Sequence, residues 1–410
     1  MEEQEAGTDA GAARCARVLR MRTRVGVYVQ VPFCQTRCTY CNFHTGVVSS
    51  GRFAPYVGAV CREIQNHREF YSGGGVTLPA SFADAVVDTV YIGGGTPSLL
   101  DPAHLQSALD AIRGSFAAEL AEVTLEADPE TVEVEKTGAW VVAGINRVSF
   151  GVQSFSDREL VATGRMHRRA DVYRAVPILR DAGIANISFD LIAGLPHQTR
   201  ESWRKSLEEL AGLAPEHVSV YLLEVDEGSR LGAEVLRGGT RYSAGELPSD
   251  DEMAEFYETA CDFLGRLGYH HYEISNWGKP GFASRHNLKY WRRQAYLGFG
   301  AGAHSFSLTQ RWANAHDAAG YVEALQRGCL PVEQQEVLTP ERALEEELFL
   351  GLRQLDGIDV AELERVYGVA LAGRFDPLAS AGLVEISGSV VRLAAGRLSV
   401  SNEVFVELMR

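Results

Sequence analysis

The sequence predicts an α/β fold: a partial (β/α)6 barrel with an α+β extension and a C-terminal winged-helix-like domain. Three observations predict it. Six short runs rich in Val, Ile, Phe and Tyr recur between residues 25 and 225, bounded by Gly, Pro, Asp or Asn. Such runs read as buried parallel strands. Stretches of helical period separate them, giving the strand–helix alternation of a parallel barrel. After Val225 the rhythm stops, and the chain ends in two amphipathic patterns and a hairpin pattern.

The runs are 25–31, 86–92, 122–127, 147–152, 186–192 and 217–225. A doubly wound open sheet satisfies the same periodicity. Among the helical stretches, 102–116 follows Asp101 as N-cap with Pro102 at the first position. Residues 171–182 stop at Gly183, and 201–213 carry Trp203, Leu207 and Leu210 at helical spacing. Residues 228–248 read as an irregular connection, 250–267 as a helix, and 269–307 carry no clear period. Helices over 340–355 and 359–367, then strands 383–386 and 390–393 around Ser387-Gly388-Ser389, suggest the winged helix. The expected division is a tail at 1–24, the barrel at 25–245, the extension at 246–335 and the winged-helix-like domain at 336–410.

At 410 residues the chain exceeds one ordinary domain. Its 46% hydrophobic and 23% charged residues are those of a globular protein. Thirty-nine basic against 54 acidic side chains leave a net charge of −15, which argues against a nucleic-acid binder or a polybasic membrane anchor. Residues 339–410 hold seven basic and twelve acidic groups, so the winged-helix pattern points to packing or a protein partner, with no nucleic acid. No apolar stretch reaches the roughly 20 residues of a transmembrane segment. The first 24 residues lack the apolar core of a secretory signal.

Seven cysteines, at 15, 34, 38, 41, 61, 261 and 329, make an odd, scattered set. That set and the missing signal predict a reducing compartment, the cytoplasm. Cys34, Cys38 and Cys41 form a Cys-x3-Cys-x2-Cys cluster just after the first strand, which Pro32 ends. Three thiolates on one loop suit an iron–sulfur cluster, and three ligands on a four-iron cube leave one iron open. Two other readings remain: zinc bound by the three cysteines and His44, and ordinary or disulfide-paired cysteines.

Other polar groups fall where the next strands end, the functional face of a β/α barrel. Gly93-Gly94-Gly95-Thr96-Pro97 follows the second strand, its glycines allowing a ligand close to backbone N–H groups. Glu126, Gln153 and Asp190 close the third, fourth and fifth. Acceptors for an amine and a ribose, donors for a carboxylate, and an open iron together suit an amino acid joined to a nucleoside.

These residues resemble the radical S-adenosylmethionine (SAM) superfamily, and within it the branch of oxygen-independent coproporphyrinogen III oxidases and related heme chaperones. The resemblance rests on Tyr28-Val29-Gln30-Val31-Pro32-Phe33-Cys34, on 93–98, 125–129, 150–155 and 190–196, and on Arg285-His286-Asn287-Leu288-Lys289-Tyr290-Trp291. It spans residues 25–410. It implies a [4Fe-4S] cluster on Cys34, Cys38 and Cys41, with the SAM amino and carboxylate groups on the open iron. Gly94, Gly95 and Thr96 would line the methionine end and Glu126 would bond the SAM. Tyr28 and Tyr40 match SAM-site aromatics. Gln153, Arg165 and Asp190 match positions around a second SAM in the oxidase.

The oxidase pattern continues with a further cysteine two residues after the third; here Cys41 is followed by Asn42-Phe43, as in the chaperone branch. The His-Asn-x-x-Tyr-Trp motif at 286–291 implies heme, with His286 as axial ligand and Tyr290 and Trp291 against the porphyrin; His304 is a further candidate. The implied function is a heme chaperone that delivers heme to an acceptor protein such as a membrane respiratory enzyme. The alternatives are the coproporphyrinogen III oxidase and a related radical SAM methyltransferase.

Overall fold

The computed structural model describes residues 23–371 and 373–408. The tail expected at 1–24, with Cys15, lies almost wholly outside them. One 12-stranded sheet organises most of the chain. Its strands are β1 (Arg24–Val31), β2 (Val86–Gly94), β3 (Ala117–Ala127), β4 (Arg147–Gln153), β5 (Asn186–Ala193), β6 (His217–Leu222), β7 (His270–Glu273), β8 (Asn276–Gly278), β9 (Tyr296–Phe299), β10 (His304–Phe306), β11 (Gln310–Asn314) and β12 (Val332–Val337). The order is β12-β11-β10-β9-β1-β2-β3-β4-β5-β6-β8-β7. All six expected strands are present, and β1 to β6 pair in parallel in chain order.

A seventh parallel strand, β9, adds to the other side of β1. It arises in the stretch that shows no period in the sequence. Four residues, Tyr296–Phe299, are too short to display one, and the partner lies far away in sequence. Antiparallel strands then extend both edges, so the extension is continuous with the barrel sheet.

The strands alternate. Val25, Val27, Val29 and Val31 of β1, Val148, Phe150 and Val152 of β4, and Ile187, Phe189 and Leu191 of β5 are buried in one apolar core. That core includes side chains from helices α1 (Phe53–Gln65), α2 (Pro102–Ser115), α3 (Val134–Ala143), α4 (Arg169–Asp181) and α5 (Arg200–Leu213). Full burial of each large aliphatic or aromatic side chain contributes about 1.5–3 kcal/mol before conformational entropy is counted. The opposite face carries Tyr28, Gln30, Tyr91, Glu126, Arg147, Ser149, Gln153, Asp190 and Ser219. Period-2 alternation sends these polar groups to the inner face.

The connection expected to be irregular contains helix α6 (Arg230–Leu236). Its N-cap Ser229 accepts from Gly232 N–H at 2.9 Å, which starts a helix too short to show periodicity. Helix α7 (Asp250–Arg266) begins with a capping box of Ser249 and Glu252. Helix α8 (Arg285–Trp291) leads into β9.

Helices α9 (Pro340–Arg353), α10 (Val360–Tyr367), α11 (Asp376–Ser380) and α12 (Ser401–Leu408) pack around strands β13 (Ile358–Asp359), β14 (Val384–Ser387) and β15 (Val390–Leu393), ordered β13-β15-β14. This winged-helix arrangement has its own core, built on Leu348, Leu352, Val391, Val404 and Phe405. Ile274 belongs to that core, and Arg353 pairs with Glu273 at 3.5 Å, fastening it to the sheet. None of the described helices is long and apolar enough to cross a membrane.

Candidate functional site

The cysteine loop leaves β1 at Pro32 and is held from three directions. Phe33–Cys34 pairs with Gly46–Val47 in a short parallel bridge. Thr39 N–H donates to Thr163 O at 2.9 Å, and Thr39 O accepts from Leu231 N–H of α6 at 2.8 Å. Arg230 donates to Arg37 O, and Arg37 to Gly228 O at 3.3 Å. The 228–248 connection is thus part of the site, a role its sequence hid. At Gly232 a Cβ would lie 2.1 Å from Asp226 O, so a side chain there would break the clamp.

Cys34, Cys38 and Cys41 are half-buried free thiols. Burial raises the Cys34 thiol, opposed by hydrogen bonds from Thr45 and Thr96, with the charges of Asp128 and Cys41 adding to the rise. Burial also raises Cys38, opposed by Arg165. Cys41 Sγ lies 3.9 Å from Thr45 Oγ1. Cys41 thus acts electrostatically on both other sulfurs. Among the described residues, no three or more His, Cys, Asp or Glu side chains gather around one ion-sized point. Three free thiols on one half-buried loop supply the three thiolates of a cubane with one open iron.

Arg165 reaches this loop from the segment after β4. It pairs with Asp128, donates to Gly151 O at 2.7 Å and approaches Cys38 Sγ at 3.7 Å. Tyr40 packs on Ile192, Leu195, Leu223 and Leu231 and lies close enough to Arg165, Cys38 and Cys41 to feel their charges.

The amides of the glycine loop bond within the fold. Gly94 N–H donates to Glu126 Oε2 at 2.9 Å, Gly95 N–H to Val31 O at 2.8 Å and Thr96 N–H to Phe33 O at 2.7 Å. Its amides are spent inside the protein rather than offered to a carboxylate. Gly94 has φ +114°, and a Cβ at Gly95 would lie 2.4 Å from Phe33 O. Glycine is needed so that this loop can lie directly on the cysteine strand. Thr96 Oγ1 continues the brace to Asp128 Oδ2 at 3.1 Å.

Glu126 is the central inner-face carboxyl. Burial pushes it up to about 7, opposed by the Gly94 N–H and Tyr91, and Asp190 and Asp128 add to the rise. Asp190, also raised by burial, accepts from Ser149 Oγ at 3.2 Å. Gln153 holds a left-handed φ of +63°, a strained conformation for a side-chain-bearing residue at the end of β4. Tyr28 stacks on Tyr91 with centroids 5.9 Å apart and donates to Gln30 Oε1 at 2.8 Å. The cysteines, Gly94, Gly95, Thr96, Glu126, Gln153, Arg165 and Asp190 therefore meet at the C-terminal ends of the parallel strands.

His286 lies deeper on the inner face, beneath Tyr28 and Tyr91. Its Nδ1 bonds Thr89 Oγ1 at 3.0 Å, its Nε2 bonds Tyr290 OH at 2.8 Å, and the residue is fully buried. Its ring lies against Thr89 and the Gly26 backbone and reaches up to Tyr91 and Tyr28, with centroids 5.4 and 6.5 Å apart. Glu122 accepts the N–H groups of Arg285 and His286 at 3.0 and 2.9 Å, and Lys289 pairs with Asp88 at 2.8 Å. Helix α8 therefore plugs the N-terminal end of the barrel. Burial pushes His286 down to about 3, with Lys289 and Arg147 adding to the shift. In the protein without heme the His286 ring is neutral, with both nitrogens hydrogen-bonded. Tyr290 shares that plug, and Trp291 lies under the Arg353 guanidinium at 4.6 Å.

Residues 28–210 match the Radical SAM superfamily and 338–396 the HemN C-terminal domain. Heme chaperone HemW of Bacillus subtilis (strain 168) is 35% identical over 384 residues, covering 92% of this chain and 97% of its own. The chain belongs to the HemW family of the radical SAM superfamily. The Mycobacterium tuberculosis H37Rv member is 35% identical, covering 91% of this chain and 92% of its own. A radical S-adenosyl methionine domain-containing protein 1, mitochondrial, from Danio rerio is 31% identical, covering 83% and 78%. The coproporphyrinogen III oxidase (HemN) structure from Escherichia coli shares the fold, with a TM-score of 0.79 at 22% identity over 97% of this chain and 93% of that one. Membership of the superfamily brings a [4Fe-4S] cluster and SAM as cofactors.

Proposed function

We propose that this protein binds heme and passes it to an acceptor protein in the cytoplasm, using a [4Fe-4S] cluster on Cys34, Cys38 and Cys41 and an exchangeable SAM. The observation that carries the reading is the clamped loop of three free thiols beside a glycine brace that donates to Glu126. The heme assignment is supported by the name heme chaperone HemW, borne by relatives along nearly the whole chain.

When bound, the cluster supplies an open iron and a transferable electron. The chain's own residues hold and orient. Arg165 places a fixed positive charge beside Cys38 and favours its thiolate. Glu126 would take the SAM amine, held in place by the Gly94 N–H, and Tyr28 would flank the ligand. Gln153 and Asp190 would complete the polar wall and could bond a ribose. The acceptor is a protein, such as a membrane respiratory enzyme.

The test is anaerobic reconstitution followed by hemin titration, transfer to an apo-hemoprotein, and assay of SAM cleavage with coproporphyrinogen III. Near-stoichiometric heme uptake and transfer without coproporphyrinogen loss is expected. Consumption of coproporphyrinogen with SAM cleavage and no heme uptake would make the chain an oxidase instead.

A further inference from the structure

Three imidazoles meet at the cysteine end of the fold. His44 lies three residues after Cys41, His304 opens β10, and His316 follows β11. His44 and His316 stack with ring centroids 3.8 Å apart. The His316 ring seats over Gly302, where a Cβ would come within 2.6 Å of Nδ1. His304 is close enough to feel the charge of both other rings.

None of the three rings has a hydrogen-bond partner among the described residues, and His316 Nδ1 is buried without one. The contrast with His67, His167, His217, His271 and His286 is clear, since each of those rings is hydrogen-bonded within the fold. Imidazole is a good ligand for heme iron. On the same loop, Phe43 and Val47 are 68% and 59% exposed on either side of His44. Together they set apolar side chains beside the His44 ring, where a porphyrin edge can pack. The rings do not gather around one point as a chelated ion needs, whereas a heme needs only one or two imidazoles and an apolar face.

We infer that heme docks at the His44–His304–His316 cluster beside the cysteine loop, with one of these imidazoles on the iron and the porphyrin against Phe43 and Val47. The inference rests on the heme-delivery reading and gives that function its place. An exposed ring can be exchanged: a lone pair of the acceptor binds the iron as the histidine–iron bond breaks, with no change of oxidation state. A ligand buried under α8 with both nitrogens bonded offers no such path.

The test is hemin titration of the full-length reconstituted protein, read by Soret absorbance and electron paramagnetic resonance. The H44A/H304A/H316A triple variant is compared with His286→Gln. The triple variant should keep its cluster absorbance and melting temperature, lose the imidazole-type heme spectrum and bind hemin at least tenfold more weakly; His286→Gln should keep the wild-type spectrum. A triple variant with unchanged affinity and spectrum overturns the docking site while the chaperone reading stands. So does a triple variant that loses only the binding of added zinc or nickel. A wild-type chain that takes up no hemin overturns both.

Discussion

Arg165 holds its guanidinium 3.7 Å from the Cys38 sulfur while paired with Asp128. The group is nearly buried, so solvent screens its charge poorly. A unit charge at that distance is worth up to about 4 kcal/mol in a partly polar site, and Asp128 offsets much of it. Replacing Arg165 by Ala should lower the cluster's reduction potential by about 59 mV, the one-electron equivalent of about 1.4 kcal/mol. Potentiometric titration checks this; an unchanged potential would remove Arg165 from the electrostatics of the cluster.

Glu126 gives SAM binding a pH dependence. Its carboxyl sits at about 7 because of burial, so below pH 7 it is protonated and accepts the N–H of an iron-bound amine only weakly. SAM affinity should rise through pH 6 to 8, and binding should release a proton. Calorimetry in buffers of different ionisation enthalpy measures both. Glu126→Gln should weaken SAM by about 1.5–3 kcal/mol, the worth of a charged hydrogen bond, and flatten the pH profile. In the unliganded protein the sign is the reverse: a raised carboxyl contributes stability below its unfolded value of 4.5 and loses it as pH rises towards 7.

Gly95 tests the brace. A methyl group there meets the Phe33 backbone at 2.4 Å, whereas at Gly138, inside α3, it meets nothing. Gly95→Ala should impair cluster assembly and lower the melting temperature. Gly138→Ala should stabilise by about 0.4–1 kcal/mol. Parallel melts and iron analysis decide.

His286→Ala should cost about 2–4 kcal/mol, since it leaves the Thr89 and Tyr290 hydroxyls unpaired around a cavity under α8. Chemical denaturation measures this loss. A variant of native stability would free His286 from its structural role.

Much of this was legible in the sequence. The six strands, the cysteine spacing, and Glu126 and Asp190 at strand ends follow from local period and from where a β/α barrel collects polar groups. Three features were not. β9 is four residues long and defined by a partner far away in the chain. α6 is about two turns started by Ser229, and its grip on Thr39 is a backbone bond with no side-chain signature. The His286 motif gives composition but not depth: its burial against Thr89 and beneath Tyr91 comes from how α8 packs on the inner face. The glycine run was seen correctly as a tight turn, but the destination of its N–H groups depends on Glu126, 32 residues later.

The most direct test is iron, sulfide and zinc analysis of anaerobically reconstituted protein, with resonance spectra of the reduced form before and after SAM. Four irons and four sulfides per chain, lost on replacing Cys34, Cys38 or Cys41 by Ala, with a spectrum that shifts when SAM is added, is the expected result. Stoichiometric zinc without sulfide, or a cluster indifferent to SAM, would contradict a three-thiolate cube with one open iron.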